Sequence, residues 1–136
     1  IRFMQSLTKE LSSASSNFAL TYSSENGVLW KEGWEELLQE PEFREKNCVT
    51  EFINLLEAME KSLANFKPQE GIAVYIGREN PFARTHNLSA IIANLHLSSD
   101  GYKNVFLAII GPKRMEYKKN INLLNYAINL LEEIYE

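Results

Sequence analysis

Met4, Leu7, Leu11 and Ala14 recur at spacings of three, four and three, which lines them up on one face and predicts a helix over residues 2–14. Ser12, Ser13, Ser15, Ser16 and Asn17 then compete for backbone hydrogen bonds and end it. Phe18, Leu20 and Tyr22 alternate with other residues as a strand requires. Glu25-Asn26-Gly27 supplies a hairpin turn, because Asn-Gly tolerates positive φ, and Val28-Leu29-Trp30 forms the returning strand. A short helix follows at Gly33 to Leu38 and stops before Pro41.

The clearest periodic segment lies in the middle of the chain. Val49, Phe52, Leu56, Met59, Leu63 and Phe66 make a helical stripe that Lys67-Pro68 terminates. Three strands are predicted after it, at 72–76, 88–97 and 105–110. Ser98-Ser99-Asp100-Gly101 joins the latter two as an antiparallel hairpin. Gly111-Pro112 ends the last strand and opens a helix running to Glu136, with proline suited to a first helical turn. The order is helix, two strands, two helices, three strands, helix. It predicts an α+β fold, an antiparallel sheet of about five strands with helices packed on one face. Residues 17–136 read as one domain, and residues 1–16 as a helix leading into it from a preceding part of the protein.

Composition narrows the function. With 136 residues and 45% hydrophobic content, the chain can enclose a core without metal or disulfide staples. Fourteen Lys and Arg against eighteen Asp and Glu give a net charge of −4, the wrong sign for a domain that neutralises phosphates. Cys48 is the single cysteine and cannot form an intrachain disulfide. With neither a signal peptide nor an apolar run of about 18 residues, a cytoplasmic protein without a membrane partner is expected. Ile1-Arg2-Phe3-Met4 reads as the middle of a helix, so the chain is expected to be part of something longer.

Candidate chemistry is sparse. His86 and His96 have no Cys, Asp or Glu partner at zinc-ligand spacing, and His96 alternates with Leu95 and Leu97 as the solvent side of a strand. No Gly-x-Ser-x-Gly elbow occurs, and Cys48 reads as a half-buried residue at a helix start. Glu35, Glu36, Glu40, Glu42 and Glu45 read as a solvated face, and Gly71, Gly77 and Gly111 are too scattered for a phosphate loop. No catalytic site, metal or cofactor is expected.

Two features resist that plain reading. Lys113 and Arg114, placed in the first turn of the final helix, would each oppose the helix dipole at a cost of about 0.3–1 kcal/mol. Either they are solvated or an acidic neighbour such as Glu79 supplies counter-charge and fastens its loop to the helix start. In the final helix, Tyr117, Ile121, Leu124, Ile128, Leu131 and Tyr135 follow a four-three seam, with Leu123, Ala127, Leu130 and Ile134 beside it. So wide an apolar surface fits either a second subunit or a helix held between the sheet and the helix at 49–66.

Gly71-Ile72-Ala73-Val74-Tyr75-Ile76-Gly77-Arg78-Glu79-Asn80 and Ile109-Ile110-Gly111-Pro112-Lys113-Arg114-Met115-Glu116-Tyr117 together resemble the C-terminal region of the HrcA family of heat-inducible transcription repressors. Glu32-Gly33, Leu37-Leu38 and Pro41-Glu42-Phe43 extend the likeness to about residues 28–136. The resemblance implies a GAF-like domain that follows an N-terminal winged helix. Dimers of such proteins bind an inverted-repeat operator ahead of chaperone genes, and chaperonin is a further partner. It marks Glu79, Asn80, Gly111, Pro112, Lys113, Arg114, Met115 and Tyr117 as the family motif and proposed clasp, although Lys113 stands where the family has Thr.

Family members place a long inserted dimerisation module between their first strand and Pro-Glu-Phe, whereas only a hairpin and a short helix separate Phe18 from Pro41. The chain therefore resembles a compact variant, whose dimer contact moves to the last helix or the first. The function expected is a regulatory and dimerisation domain that is not an enzyme. A small-molecule sensor with loop 79–87 as its cover is the alternative.

Overall fold

The computed structural model describes residues 2–24, 27–63, 65, 70–97 and 103–135. Its elements are α1 (Arg2–Ser15), β1 (Phe18–Ser23), β2 (Val28–Glu32), α2 (Trp34–Leu38), α3 (Lys46–Ser62), β3 (Gly71–Ile76), β4 (Leu88–Leu97), β5 (Lys103–Pro112) and α4 (Tyr117–Tyr135). Single 3-10 turns occupy Pro41–Arg44 and Gly77–Glu79. The fold is α+β: five strands, all antiparallel, lie in the order β2-β1-β5-β4-β3. Both expected hairpins form, although Glu25-Asn26 and Ser98–Gly101, assigned to their turns, lie outside the described residues, as do Phe66, Lys67 and Pro68.

Helices cover both faces of the sheet, which corrects the expectation of one covered face. Phe18, Leu20, Ala90, Ile92, Phe106, Ala108 and Ile110 pack with α2 and α3 on one side. Ala19, Ile91, Ala93, Leu95, Leu107 and Ile109 pack with α1 and α4 on the other. The cause is visible in the strands. From Leu88 to Leu97 every residue except His96 is buried, so β4 has an apolar or small side chain on nearly every position of both faces.

Helix α1 is part of this core. Met4, Leu7 and Leu11 are buried as expected, but Ala14 is exposed, and Thr8, Ser12 and Ser15 turn inward instead. Their hydroxyls are satisfied there. Thr8 Oγ1 donates to the Met4 carbonyl at 2.7 Å and lies 2.6 Å from Thr21 Oγ1, while Ser12 Oγ donates to the Asn17 carbonyl at 2.9 Å. A buried hydroxyl that keeps its partner avoids the desolvation penalty, and this lets a serine-rich helix end pack against β1.

Helix α4 lies beside α1, across the sheet from α3, so the expected sandwich with the helix at 49–66 does not occur. Leu124 and Leu131 are fully buried, and Ile121 and Ile128 are half-buried against the same cluster. That seam is the helix's sheet-facing side. In the neighbouring seam Ala127 is buried and Ile134 is 52% exposed.

Candidate functional site

The two motif segments meet at one end of the sheet. Strand β3 leaves into Gly77, whose φ of 58° suits glycine at the entry of the 3-10 turn. Glu79 closes that turn on itself, its Oε1 accepting the Ile76 N–H at 2.9 Å. Asn80 Oδ1 accepts the amides of Phe82 and Ala83 at 2.9 and 3.4 Å, an Asx arrangement that shapes the following loop. Thr85 is fully buried and its hydroxyl is shared between the carbonyls of Gly77 and Leu88, at 2.7 and 3.2 Å.

A carboxylate from the opposite layer holds the loop's far end. Glu51 of α3 accepts the His86 and Asn87 amides at 3.1 Å. Beneath the loop, Phe82 meets Phe106 edge to face with centroids 6.3 Å apart. Glu51→Ala is expected to remove about 1 kcal/mol. Amide hydrogen exchange at residues 86 and 87 should quicken while that of β4 and β5 is unchanged. Unaltered exchange at 86 and 87 would show that the loop is held otherwise.

The second motif joins the same strand ends. Leu88 pairs with Pro112 and Ser89 with Gly111, so β5 continues through the proline, and the Lys113 N–H donates to the Asn87 carbonyl at 3.1 Å. Helix α4 begins only at Tyr117. Lys113 and Arg114 therefore sit in a turn before the helix, and the expected dipole penalty does not arise. Pro112 belongs to the strand rather than to the first helical turn. The Tyr117 hydroxyl donates to the Lys113 carbonyl and lies 2.9 Å from Ser89 Oγ, pinning the helix start to β4. Met115 is buried and takes a 3.4 Å contact from Asn120 Nδ2.

Arg114 grips Glu42, not Glu79. Its Nε lies 2.7 Å from Glu42 Oε2 and its Nη2 2.8 Å from Glu42 Oε1, a bidentate pair, and Nη2 also reaches Glu40. Among the described residues neither Lys113 nor Arg114 pairs with Glu79. The motifs touch elsewhere: the Lys113 side chain crosses Gly77 so closely that a Cβ there would lie 3.3 Å from Lys113 Cδ.

Hydrogen bonding from Arg114 holds the Glu42 carboxyl below its ordinary 4.5, against a smaller opposing effect of desolvation. A depressed folded value stabilises the domain above the unfolded pKa, and the contribution is lost as pH falls through the folded value. The melting-temperature gap between wild type and Glu42→Gln should thus be open at pH 7 and close below about pH 4.5. A gap constant from pH 7 to pH 3 would exclude the pair as its source.

The other candidates take structural places. Cys48 is 1% exposed, more buried than expected, and burial pushes its thiol up to about 11, with Glu51 and Glu42 adding to the shift. His86 Nδ1 accepts from Arg78 Nε at 3.2 Å, and His96 faces solvent as expected. No group of three metal-ligating side chains occurs among the described residues. What the site does is mechanical: it ties loop 80–87, the end of β5, the start of α4 and the 3-10 turn at Pro41–Arg44 into one unit. Glu51, Thr85 and the role of Glu42 escaped the sequence reading. Each acts through partners that no local pattern marks.

A family model described as the HrcA protein C-terminal domain matches residues 2–121. The heat-inducible transcription repressor HrcA of Lysinibacillus sphaericus is 31% identical over 125 residues, covering 88% of this chain and 36% of that protein. The protein of the same name from Lachnoclostridium phytofermentans is 29% identical over 148 aligned positions, covering 100% of this chain and 42% of its own length. Among solved structures, Myxococcus xanthus MglB has a TM-score of 0.55 at 13% identity, over 98% of this chain and 94% of that one, a likeness of fold alone. The chain spans less than half the length of these curated relatives. No helix among the described residues is long and apolar enough to cross a membrane.

Proposed function

The chain belongs to the HrcA family, matching its C-terminal domain, and from that premise we propose that it is the regulatory and dimerisation domain of a heat-inducible transcription repressor controlling chaperone genes. The observation that carries the reading is the reach of the family match, which runs from α1 through all five strands into α4. The relatives named as heat-inducible transcription repressors are similar over this same domain.

In this reading, operator DNA is contacted by another part of the protein, because a net charge of −4 gives this domain no electrostatic hold on phosphate. Helix α1 leads toward that part. Met4, Leu7 and Leu11 fix the helix to the sheet, so its direction is coupled to the domain's packing. The protein acts in the cytoplasm as a homodimer, with chaperonin as a further partner. The small-molecule-sensor alternative needs space beneath loop 79–87, and Phe82 occupies it.

The test is expression of this chain in cells that hold the intact repressor. Mixed dimers lack one DNA-binding half, so a chaperone-promoter reporter should rise several-fold at normal growth temperature. A stably expressed chain that leaves the reporter silent and sediments as a monomer would overturn the reading.

A further inference from the structure

The two edges of the sheet are protected unequally. Strand β2, at one edge, carries Lys31 and Glu32, and Lys31 Nζ is held 2.6 Å from Glu60 Oε1 on α3. Charges on an edge discourage another strand from adding to it. Strand β3, at the other edge, reads Gly-Ile-Ala-Val-Tyr-Ile, with no charge and no proline. Ile72, Ala73, Val74 and Tyr75 are only half-buried, and Ile76 is 43% exposed. No described strand pairs with its outer side. The cleft flanking it, about 500 Å³, is lined in part by Ile72, Val74, Leu95, Ile121 and Ile128.

We infer that the outer edge of β3 is the homodimer interface, where a second copy of this chain adds its own β3 antiparallel across a two-fold axis at Val74. The inference rests on the dimerisation reading above and deepens it by naming the surface. Two features select a second copy over an unrelated extended segment. The first is charge: Glu70 precedes the strand and Arg78 follows it. Antiparallel pairing centred on Val74 brings each Glu70 to the end where the partner's chain leaves its strand into the turn that carries Arg78, opposite charges near one another, while a parallel arrangement brings like charges together.

The second is side-chain size. Alternation puts Ala73 and Tyr75 on the α3 side of the sheet and Ile72, Val74 and Ile76 on the α4 side. In this register Ala73 faces the partner's Tyr75, small against large, and the reverse holds across the axis. On the other side, Ile72 faces the partner's Ile76 and Val74 faces Val74, which completes a continuous aliphatic band beside the α4 cleft. The two five-stranded sheets become one of ten strands, and the edge amides and carbonyls not already bonded, as the Ile76 N–H is to Glu79, gain partners.

The register makes the test specific. Facing Cα atoms in an antiparallel pair lie about 4.5–5.5 Å apart, within the range a disulfide spans. The 136-residue chain carrying Val74→Cys should form a covalent dimer under mild oxidation, after which free thiols are alkylated before denaturing electrophoresis. Tyr126→Cys, on the exposed side of α4, should not cross-link. In sedimentation at micromolar concentration wild type should be dimeric, and Val74→Lys, with an unchanged circular dichroism spectrum, should be monomeric. A dimer that survives Val74→Lys while Val74→Cys stays uncross-linked overturns the β3 interface and leaves dimerisation standing. A wild type monomeric at every concentration overturns both.

Discussion

Gly33→Ala is expected to be among the most damaging single substitutions in this domain, lowering stability by about 4 kcal/mol. Gly33 has a φ of 108°, a region L side chains rarely adopt, and forcing one there costs about 1–3 kcal/mol. The space is also taken. An added Cβ would lie 2.3 Å from Ser12 Oγ, 2.6 Å from the Asn17 carbonyl oxygen and 2.9 Å from Phe18 Cα. Two of those atoms are backbone at the joint between α1 and β1, where Ser12 is already bonded to the Asn17 carbonyl. Neither can retreat without moving the first helix, so overpacking adds about 1–3 kcal/mol. Against a typical domain stability of roughly 5–15 kcal/mol, that is a large share. Thermal unfolding should shift down by more than about 10 °C. Gly27→Ala is the control, since Gly27 also has positive φ, 63°, but nothing within 4 Å of an added Cβ. Equal losses in the two variants would mean that the crowding at Gly33 plays no part.

The same joint shows where the sequence was legible and where it was not. The break after α1 and the alternation of Phe18, Leu20 and Tyr22 follow from local residue chemistry, and both stand in the structure. The inward turn of Thr8, Ser12 and Ser15 was hidden, because a hydroxyl's suitability for a core depends on partners that only the fold supplies. Asn17 shows the point again: its side chain lies against Gly111, where a Cβ would come within 2.3 Å of Asn17 Oδ1. Gly111 was marked by resemblance, while its physical reason lies in a neighbour far along the chain.

At the motif, local rules pointed the wrong way. Proline suits a first helical turn, yet Pro112 closes β5 opposite Leu88, and α4 waits until Tyr117. The turn this creates carries Arg114 toward Glu42, 72 positions away, rather than toward Glu79. Glu79 lies three residues from a backbone donor, the Ile76 N–H, and its carboxylate accepts from that instead. Charge pairing between distant elements has no period in sequence, so the carboxylates at 40 and 42 looked the same as any solvated face.

Phe52→Ala should match Gly33→Ala in cost, about 3–5 kcal/mol, by a different route. The Phe52 ring is fully buried at the centre of an aromatic cluster. It meets Phe18 at 4.9 Å, Trp34 at 4.8 Å and Phe43 at 6.0 Å, all edge to face. Truncation leaves a cavity and removes three ring contacts, each worth about 0.5–1.5 kcal/mol beyond area. Trp34 and Phe43 anchor α2 and the 3-10 turn at Pro41–Arg44, and that turn presents Glu42 to Arg114. The cluster is therefore what positions the carboxylates at the motif. Beyond lost stability, Phe52→Ala should weaken the coupling between Arg114 and Glu42. The measurable consequence is a double-mutant cycle: the coupling energy between Arg114→Ala and Glu42→Gln, read from chemical denaturation at low salt, should shrink toward zero in the Phe52→Ala background. If that coupling persists undiminished, the carboxylates are held by the turn's own backbone, and the aromatic cluster and the motif are independent parts of the fold.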